Sequence, residues 1–125
     1  MADYKLTPKD IDIGVDRVLA EAYATATVSD HPEIVFITGG PGSGKTSIER
    51  YQRLLFKQRG DIPFIVGSDM IAEFHPNYED ALEELPEECY RITRQFVRPA
   101  TPKIFDGLFR SGICIINENT LDIYK

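Results

Sequence analysis

The fold of this 125-residue chain is decided by the stretch Ile34-Val35-Phe36-Ile37-Thr38-Gly39-Gly40-Pro41-Gly42-Ser43-Gly44-Lys45-Thr46. Its first four residues are apolar and show no polar alternation, which predicts a parallel strand covered on both faces. Residues 39–46 satisfy the pattern G-x-x-x-x-G-K-[ST]. A segment with helical periodicity follows, from about Thr46 to Arg59, where Gly60 stops it. A strand, a glycine-rich loop and a helix in this order predict a phosphate-binding loop.

The residue types of this loop suit a purine nucleoside triphosphate. Glycines allow several backbone N–H groups to turn inward on one phosphate chain, and the start of the helix adds its unpaired N–H groups. The Lys45 ammonium is expected on the β- and γ-phosphates, and the Thr46 hydroxyl on Mg²⁺. The sequence therefore predicts a site for Mg²⁺ with ATP or GTP, with these nucleotide contacts: Gly39, Gly40, Pro41, Gly42, Ser43, Gly44, Lys45, Thr46 and Ser47.

The bulk composition is that of one globular domain spanning residues 1–125, with 42% hydrophobic and 27% charged residues. The net charge of −6 and the lack of a Lys/Arg run argue against a nucleic-acid or membrane partner. The apolar runs reach only about five residues, far short of a membrane span. The N-terminus lacks the apolar core of a secretory signal, and two cysteines, Cys89 and Cys114, are too few for a disulfide framework. We expect a cytoplasmic protein with reduced thiols.

The rest of the chain alternates predicted helices with predicted strands. Thr7-Pro8-Lys9-Asp10 has the cap, proline and acid of a helix start. Two further strands are predicted at Phe64-Ile65-Val66 and Ile113-Cys114-Ile115-Ile116. Together with the glycine loop, this order predicts an α/β fold of the P-loop NTPase class, a three-stranded parallel sheet with flanking helices.

Two details of the predicted helices can be checked directly. The helix after the glycine loop is expected to bury a stripe of four apolar residues, namely Ile48, Tyr51, Leu54 and Leu55. Pro86 is expected to open a helix that ends before Pro99, because proline disfavours the helical conformation in the residue before it. Thr101-Pro102 repeats the cap-plus-proline pattern and predicts a separate short helix that Gly112 stops.

Carboxylates follow the second and third strands, at the edge of the sheet where ligands bind in open parallel folds. Asp69 is a candidate general base or a metal ligand through water, and the alternative is a helix cap. Glu118 is a candidate metal-organising carboxylate, and the alternative is a solvated loop acid. His75 lies in the turn-forming context His75-Pro76-Asn77, where a structural role is favoured over a catalytic one. Three arginines spaced along one helix face favour surface ion pairs over phosphate binding: Arg91, Arg94 and Arg98.

Three segments of the sequence together point to a known family. The first is the glycine loop through Ser47. The second is Asp69-Met70-Ile71-Ala72-Glu73-Phe74-His75-Pro76-Asn77-Tyr78, an acid followed six residues later by His-Pro-Asn-aromatic. The third is Glu118-Asn119-Thr120 after a strand. These segments resemble the zeta toxins of bacterial toxin–antitoxin systems, P-loop kinases that phosphorylate UDP-N-acetylglucosamine, in which the third segment is Glu-Gly-Thr.

The resemblance implies roles for residues of this sequence. Lys45 would bind the β- and γ-phosphates, and Asp69 would take the proton from the sugar hydroxyl. Glu118 and Thr120 would contact the substrate or organise the metal, and His75 would shape the substrate pocket. An antitoxin protein is an implied partner.

The sequence also departs from the family pattern. Ile71 stands where Phe or Leu is usual, Asn119 replaces a glycine, and no acid is found near Pro102-Lys103, where the family has a second one. The arginines that clamp the triphosphate in the family belong to a region beyond Lys125, so we expect the N-terminal portion of a longer domain. Two alternatives stay open: a kinase for another small hydroxyl acceptor, and a non-catalytic nucleotide-binding module without the arginine clamp.

Overall fold

The structure, a computed structural model, describes residues 4–38 and 44–119. The elements, in chain order, are α1 (Pro8–Thr25), β1 (Ile34–Thr38), α2 (Lys45–Gln58), β2 (Phe64–Gly67), α3 (Ser68–Ala72), α4 (Tyr78–Glu84), α5 (Cys89–Arg110) and β3 (Ile115–Asn119). The predicted start of α1 is confirmed: the Thr7 hydroxyl accepts from the Asp10 N–H at 3.2 Å, and the Asp10 carboxylate accepts from the Thr7 N–H at 2.9 Å. This reciprocal capping satisfies two of the N–H groups that a helix start leaves unpaired.

The described strands form a parallel sheet in the order β1-β3-β2, which confirms the predicted α/β fold and places the strand before the glycine loop at one edge. β3 is later than predicted, because Ile113 instead forms an isolated antiparallel bridge with Val28 of the connector after α1. Side chains alternate across the sheet, so Ile115 faces the main core while Cys114 and Ile116 face α2.

One face of the sheet is covered by α1 and α5, and this layer holds the main core. Val18, Phe96, Ile104 and Leu108 are fully buried there against Val66 and Ile115 of the sheet. Gly14 of α1 lies directly on Phe96, and a Cβ at this position would overlap the Phe96 atoms Cε1 and Cζ. The absence of a side chain at Gly14 therefore sets how closely α1 approaches α5.

The predicted break at Pro99 is wrong, since α5 runs without interruption through both Pro99 and Pro102. Each proline removes one helical hydrogen bond, at a cost of about 3 kcal/mol. The Thr101 hydroxyl was expected to cap a new helix. Instead it donates to the Val97 carbonyl at 2.6 Å, which is a hydrogen bond within α5. The buried face of α5 extends on both sides of the prolines. The packing of this face in the core stabilises the continuous helix more than the two prolines destabilise it.

The other face of the sheet is covered by α2, which does not bury the predicted stripe. Phe56 is the one fully buried residue of this helix, and it packs with Ile37, Cys114 and Ile116. The predicted stripe is exposed instead, at 47% for Ile48, 59% for Tyr51, 49% for Leu54 and 38% for Leu55. At 100° per residue, positions 48, 51 and 55 lie about a quarter turn away from the side that meets the sheet.

β1 is also less covered than its sequence predicts. Ile37 is buried under α2, but Phe36, on the opposite face of the strand, is 64% exposed. The exposed Phe36 and the exposed stripe on α2 lie on opposite sides of the sheet. Among the described residues, β1 is an edge strand, and exposed apolar side chains are found on both sides of the sheet.

Candidate functional site

The carboxyl ends of the strands lie side by side and bring the candidate residues together. Glu118 of β3 is in register with Ile37 of β1 on one side and with Gly67 of β2 on the other. Lys45 opens α2 after the glycine loop, and Asp69 stands in the first turn of α3, directly after β2. The site is thus built on the ends of three parallel strands, where ligands bind in this class of fold.

The N-terminus of α2 is held by Gly44, the last glycine of the loop. Gly44 has φ of +83°, in the left-handed region that glycine adopts without strain, and its carbonyl accepts from the Ile48 N–H at 3.2 Å. This turn places Lys45, Thr46 and Ser47 in the first turn of the helix, beside its unpaired N–H groups. Such a helix start favours a bound anion.

A cavity of about 340 Å³ joins the candidate residues. Lys45 and Glu118 line it together with Asp69, and the remaining lining residues are Ile65, Gly67, Ser68, Met70 and Glu73. A cation at the start of a helix, an exposed carboxylate and a part-buried carboxylate thus face one space. This set of groups can bind a phosphate and accept a proton from a neighbouring hydroxyl.

Glu118 has a partner that the sequence patterns did not single out, Glu49 of α2. A hydrogen bond to Glu49 raises the pKa of Glu118 to about 7, with burial and the negative charge of Glu49 adding to the effect, while Lys45 and Arg53 oppose it. Glu49 also pairs with Arg53, whose Nε lies 3.1 Å from Glu49 Oε1. Glu49 follows Lys45 by four residues and shares its helix face, a spacing that could have drawn attention to it.

His75 occupies a different place from the other candidates. It is buried, its ring meets Phe96 edge-on at 6.4 Å, and its Nδ1 accepts from the Asn77 N–H at 3.0 Å. Burial lowers the pKa of His75, which favours the neutral ring. His75 does not line the cavity that holds Asp69; it fixes the turn that leads from α3 to α4.

The other candidate residues do not line this cavity or lie outside the part of the chain that the structure describes. Gly39, Gly40, Pro41, Gly42, Ser43 and Thr120 lie outside the described residues. The arginines of α5 are not among the residues that line the cavity: Arg91 pairs with Glu88 at 2.8 Å, and Arg94 lies over the Tyr90 ring at 4.2 Å. Across 4–38 and 44–119, no group of three or more His, Cys, Asp or Glu side chains forms a ready metal cage, and no helix is long and apolar enough to cross a membrane.

A comparison with solved structures supports the fold. A chain of the PezAT chromosomal toxin–antitoxin system of Streptococcus pneumoniae superposes with a TM-score of 0.77 at 21% sequence identity. The match covers 94% of this chain and 48% of the pneumococcal one, so the present chain spans about half of that structure's length. At this identity the similarity establishes the P-loop kinase-like fold. No protein of curated function matches the sequence.

The comparison with protein families gives the identity of the chain. The model of the zeta toxin family matches residues 16–125, which include the glycine loop, the segment from Asp69 to Tyr78, and Glu118. The three segments on which the sequence resemblance rested therefore all lie within the matched region. The chain belongs to the zeta toxin family.

Proposed function

We propose that the protein, in its full length, transfers the γ-phosphoryl group of ATP or GTP to a hydroxyl of the sugar nucleotide UDP-N-acetylglucosamine. One observation carries this proposal: Lys45, Asp69 and Glu118, contributed by three different strand ends, line a single cavity. Membership of the zeta toxin family supports the kinase class, and the sequence resemblance supplies the substrate.

In the proposed reaction Lys45 holds the β- and γ-phosphates at the start of α2. The acceptor hydroxyl lies in line with the γ-phosphorus, and Asp69 accepts its proton as the new O–P bond forms and the bond to the β-phosphate oxygen breaks. Asp69 lines the cavity and is exposed, so a substrate can reach it. Glu118, with its raised pKa, contacts the sugar-nucleotide side of the cavity and limits the negative charge beside the phosphates.

The residues present also fit Mg²⁺. The ion prefers hard oxygen ligands and keeps several waters. The Thr46 hydroxyl in the first turn of α2 would be such a ligand, and Asp69 would reach the ion through a bound water. When bound, Mg²⁺ neutralises charge on the transferring phosphoryl group.

The proposal extends to the partner and the location of the protein. The pneumococcal structure comes from a toxin–antitoxin system, and on this basis we propose an antitoxin protein as a partner of the present chain. We also propose a cytoplasmic location, which the two buried and unbridged cysteines, Cys89 and Cys114, support.

The direct test incubates the full-length protein with Mg²⁺, ATP or GTP, and UDP-N-acetylglucosamine, and detects the phosphorylated sugar nucleotide by mass spectrometry. The proposal expects this product, and expects it to be absent with Lys45→Ala. Phosphorylation of another hydroxyl compound would retain the kinase class and remove the substrate. Nucleotide binding without any transfer would favour the non-catalytic alternative.

A further inference from the structure

A second and larger concave region lies between the second half of α2 and β2. It is a groove of about 630 Å³ between α2 and β2, bounded by Arg53 and Lys57 on the helix, by the loop 60–63, and by Phe64 and Ile65 of the strand. We call this region the β2 groove. Ile65 lines both the β2 groove and the cavity that holds Asp69, so the two spaces adjoin along the strand.

The β2 groove is lined in part by an edge strand, whose outward backbone groups have no neighbouring strand among the described residues. β2 is the edge strand opposite β1, and its Phe64 N–H donates to the Cys114 carbonyl of β3 at 2.8 Å. Backbone groups alternate in direction along a strand, so the N–H and C=O of Ile65 point away from β3. Within the part of the chain that the structure describes, the sheet order places no strand on that side. An added strand would find one donor and one acceptor on Ile65.

The walls of the groove combine apolar surface with positive charge. Ile62 lines the groove and is 55% exposed, and Ile65 and Pro63 add further apolar surface. Asp61, the acid in the lining, is engaged by Arg59 at 2.9 Å, and Arg53 is engaged by Glu49. Lys57 is exposed, and no ion-pair partner for it exists among residues 4–38 and 44–119. Lys57 therefore leaves the lining of the groove with one uncompensated positive charge.

From these observations we propose that the β2 groove is a docking site for an extended, acidic segment of a partner protein, which adds as a strand to the edge of β2. A free phosphate group would pair with Lys57, but it would leave the Ile65 carbonyl and the apolar walls without a partner. A second copy of this chain, paired through its own β2, would bring a second unpaired Lys57 into the same interface. An acidic strand satisfies the backbone edge, the apolar walls and Lys57 together.

The experiment measures binding of a short fluorescent peptide, in which valine and glutamate alternate, to the full-length protein by polarisation. Valine favours the extended conformation, and the glutamates supply the complementary charge. Two peptide controls separate the contributions: one carries lysine in place of glutamate, and one is methylated at alternate backbone nitrogens and cannot pair with a strand edge. Lys57→Glu is the test variant, and Arg50→Glu, on the same helix but outside the groove, is its matched control.

The proposal expects the acidic peptide to bind, and both control peptides to bind at least about tenfold more weakly. It expects Lys57→Glu to weaken binding of the acidic peptide and Arg50→Glu to leave it unchanged. Equal binding of the methylated and unmethylated peptides would overturn strand addition as the binding mode. This comparison uses the unmutated protein, so it does not depend on whether a variant folds. The proposal would also be overturned if no peptide bound and the protein instead self-associated in a way that Ile65→Pro abolishes. A second copy of the chain would then be the occupant of the groove.

Discussion

Glu49 of α2 and Glu118 of β3 are joined by a hydrogen bond that raises the pKa of Glu118 to about 7. Two carboxyl groups that meet in a part-buried place cannot both ionise at low cost, so one of them keeps its proton. Arg53 holds Glu49 from the other side at 3.1 Å. The contact ties the helix that begins at Lys45 to the strand end that carries Glu118, at the wall of the proposed acceptor cavity.

This pair predicts how stability depends on pH. Because the pKa of Glu118 is raised from its ordinary value of 4.5 to about 7, the folded chain holds a proton that the unfolded chain releases. The resulting stabilisation is complete below the unfolded pKa and is lost as pH rises through about 7. Glu49→Gln removes the like charge and supplies an amide donor, so we expect a smaller loss of stability between about pH 5 and about pH 8.

Thermal denaturation at the two pH values, for the wild type and for Glu49→Gln, measures this loss. Glu83→Gln, on the exposed face of α4, is the matched control and should keep the pH dependence of the wild type. An unchanged pH dependence in Glu49→Gln would mean that Glu49 and Glu118 do not interact in solution.

The start of α2 predicts the behaviour of the nucleotide site. Lys45→Ala removes a charge-assisted contact worth about 1.5–3 kcal/mol, so the affinity for the Mg²⁺–nucleotide complex should fall at least about tenfold. Lys57→Ala, in the last turn of the same helix, is the control and should bind as the wild type does. Titration calorimetry on the three proteins gives the comparison, and equal affinities would remove Lys45 from the phosphate site.

Much of this fold could be predicted from local sequence, because the deciding features are local. The Thr7 cap and the apolar strands each depend on neighbouring residues, and the structure has the helix start and the strands that they predict. The continuous α5 could not be predicted in this way. Its prolines oppose a helix locally, whereas the packing that overrides them comes from α1 and from the sheet.

The same limit applies to the site. Asp69 and Glu118 each follow an apolar stretch, which predicted that both would lie at the edge of the sheet where ligands bind, and both line one cavity there. The contact between Glu49 and Glu118 depends on which side of α2 meets the sheet. Apolar periodicity predicted that the side of α2 with Ile48 and Leu55 meets the sheet. This side is exposed, so the sequence pattern predicted the wrong buried face for α2.

The uncovered edge of the sheet predicts self-association. β1 has an unpaired edge among the described strands, Phe36 is exposed on one side of the sheet, and the stripe on α2 (Ile48, Tyr51, Leu54 and Leu55) is exposed on the other side. An unpaired edge and exposed apolar side chains promote association or require a covering partner. We expect residues 1–125 alone to associate or to be marginally stable, and Leu55→Glu to reduce the association. Light scattering combined with thermal melting tests this, and a stable monodisperse monomer would contradict it.

The contact between Gly14 and Phe96 predicts an unusual response to alanine. In an exposed helix, replacing glycine with alanine gains about 1 kcal/mol. At Gly14 the new methyl group overlaps the buried Phe96 ring, and such overpacking costs about 1–3 kcal/mol, so Gly14→Ala should be destabilising. Gly107→Ala is the comparison: its methyl group meets the flexible end of Leu19, with Cδ1 at 2.8 Å, and should cost less. Chemical denaturation ranks the two, and equal stabilities would mean that α1 can shift away from α5.

The measurement that tests the central claim most directly is the rate of UDP-N-acetylglucosamine phosphorylation by full-length Asp69→Asn, followed by mass spectrometry. Loss of a general base costs about 10²–10⁴ in rate, and the asparagine keeps the shape of the side chain without its basicity. We predict a loss of at least about a hundredfold in rate with nucleotide affinity within a few-fold of the wild type. An intact rate in Asp69→Asn would contradict the account, reduce Asp69 to a cap of α3, and make Glu118 the candidate base.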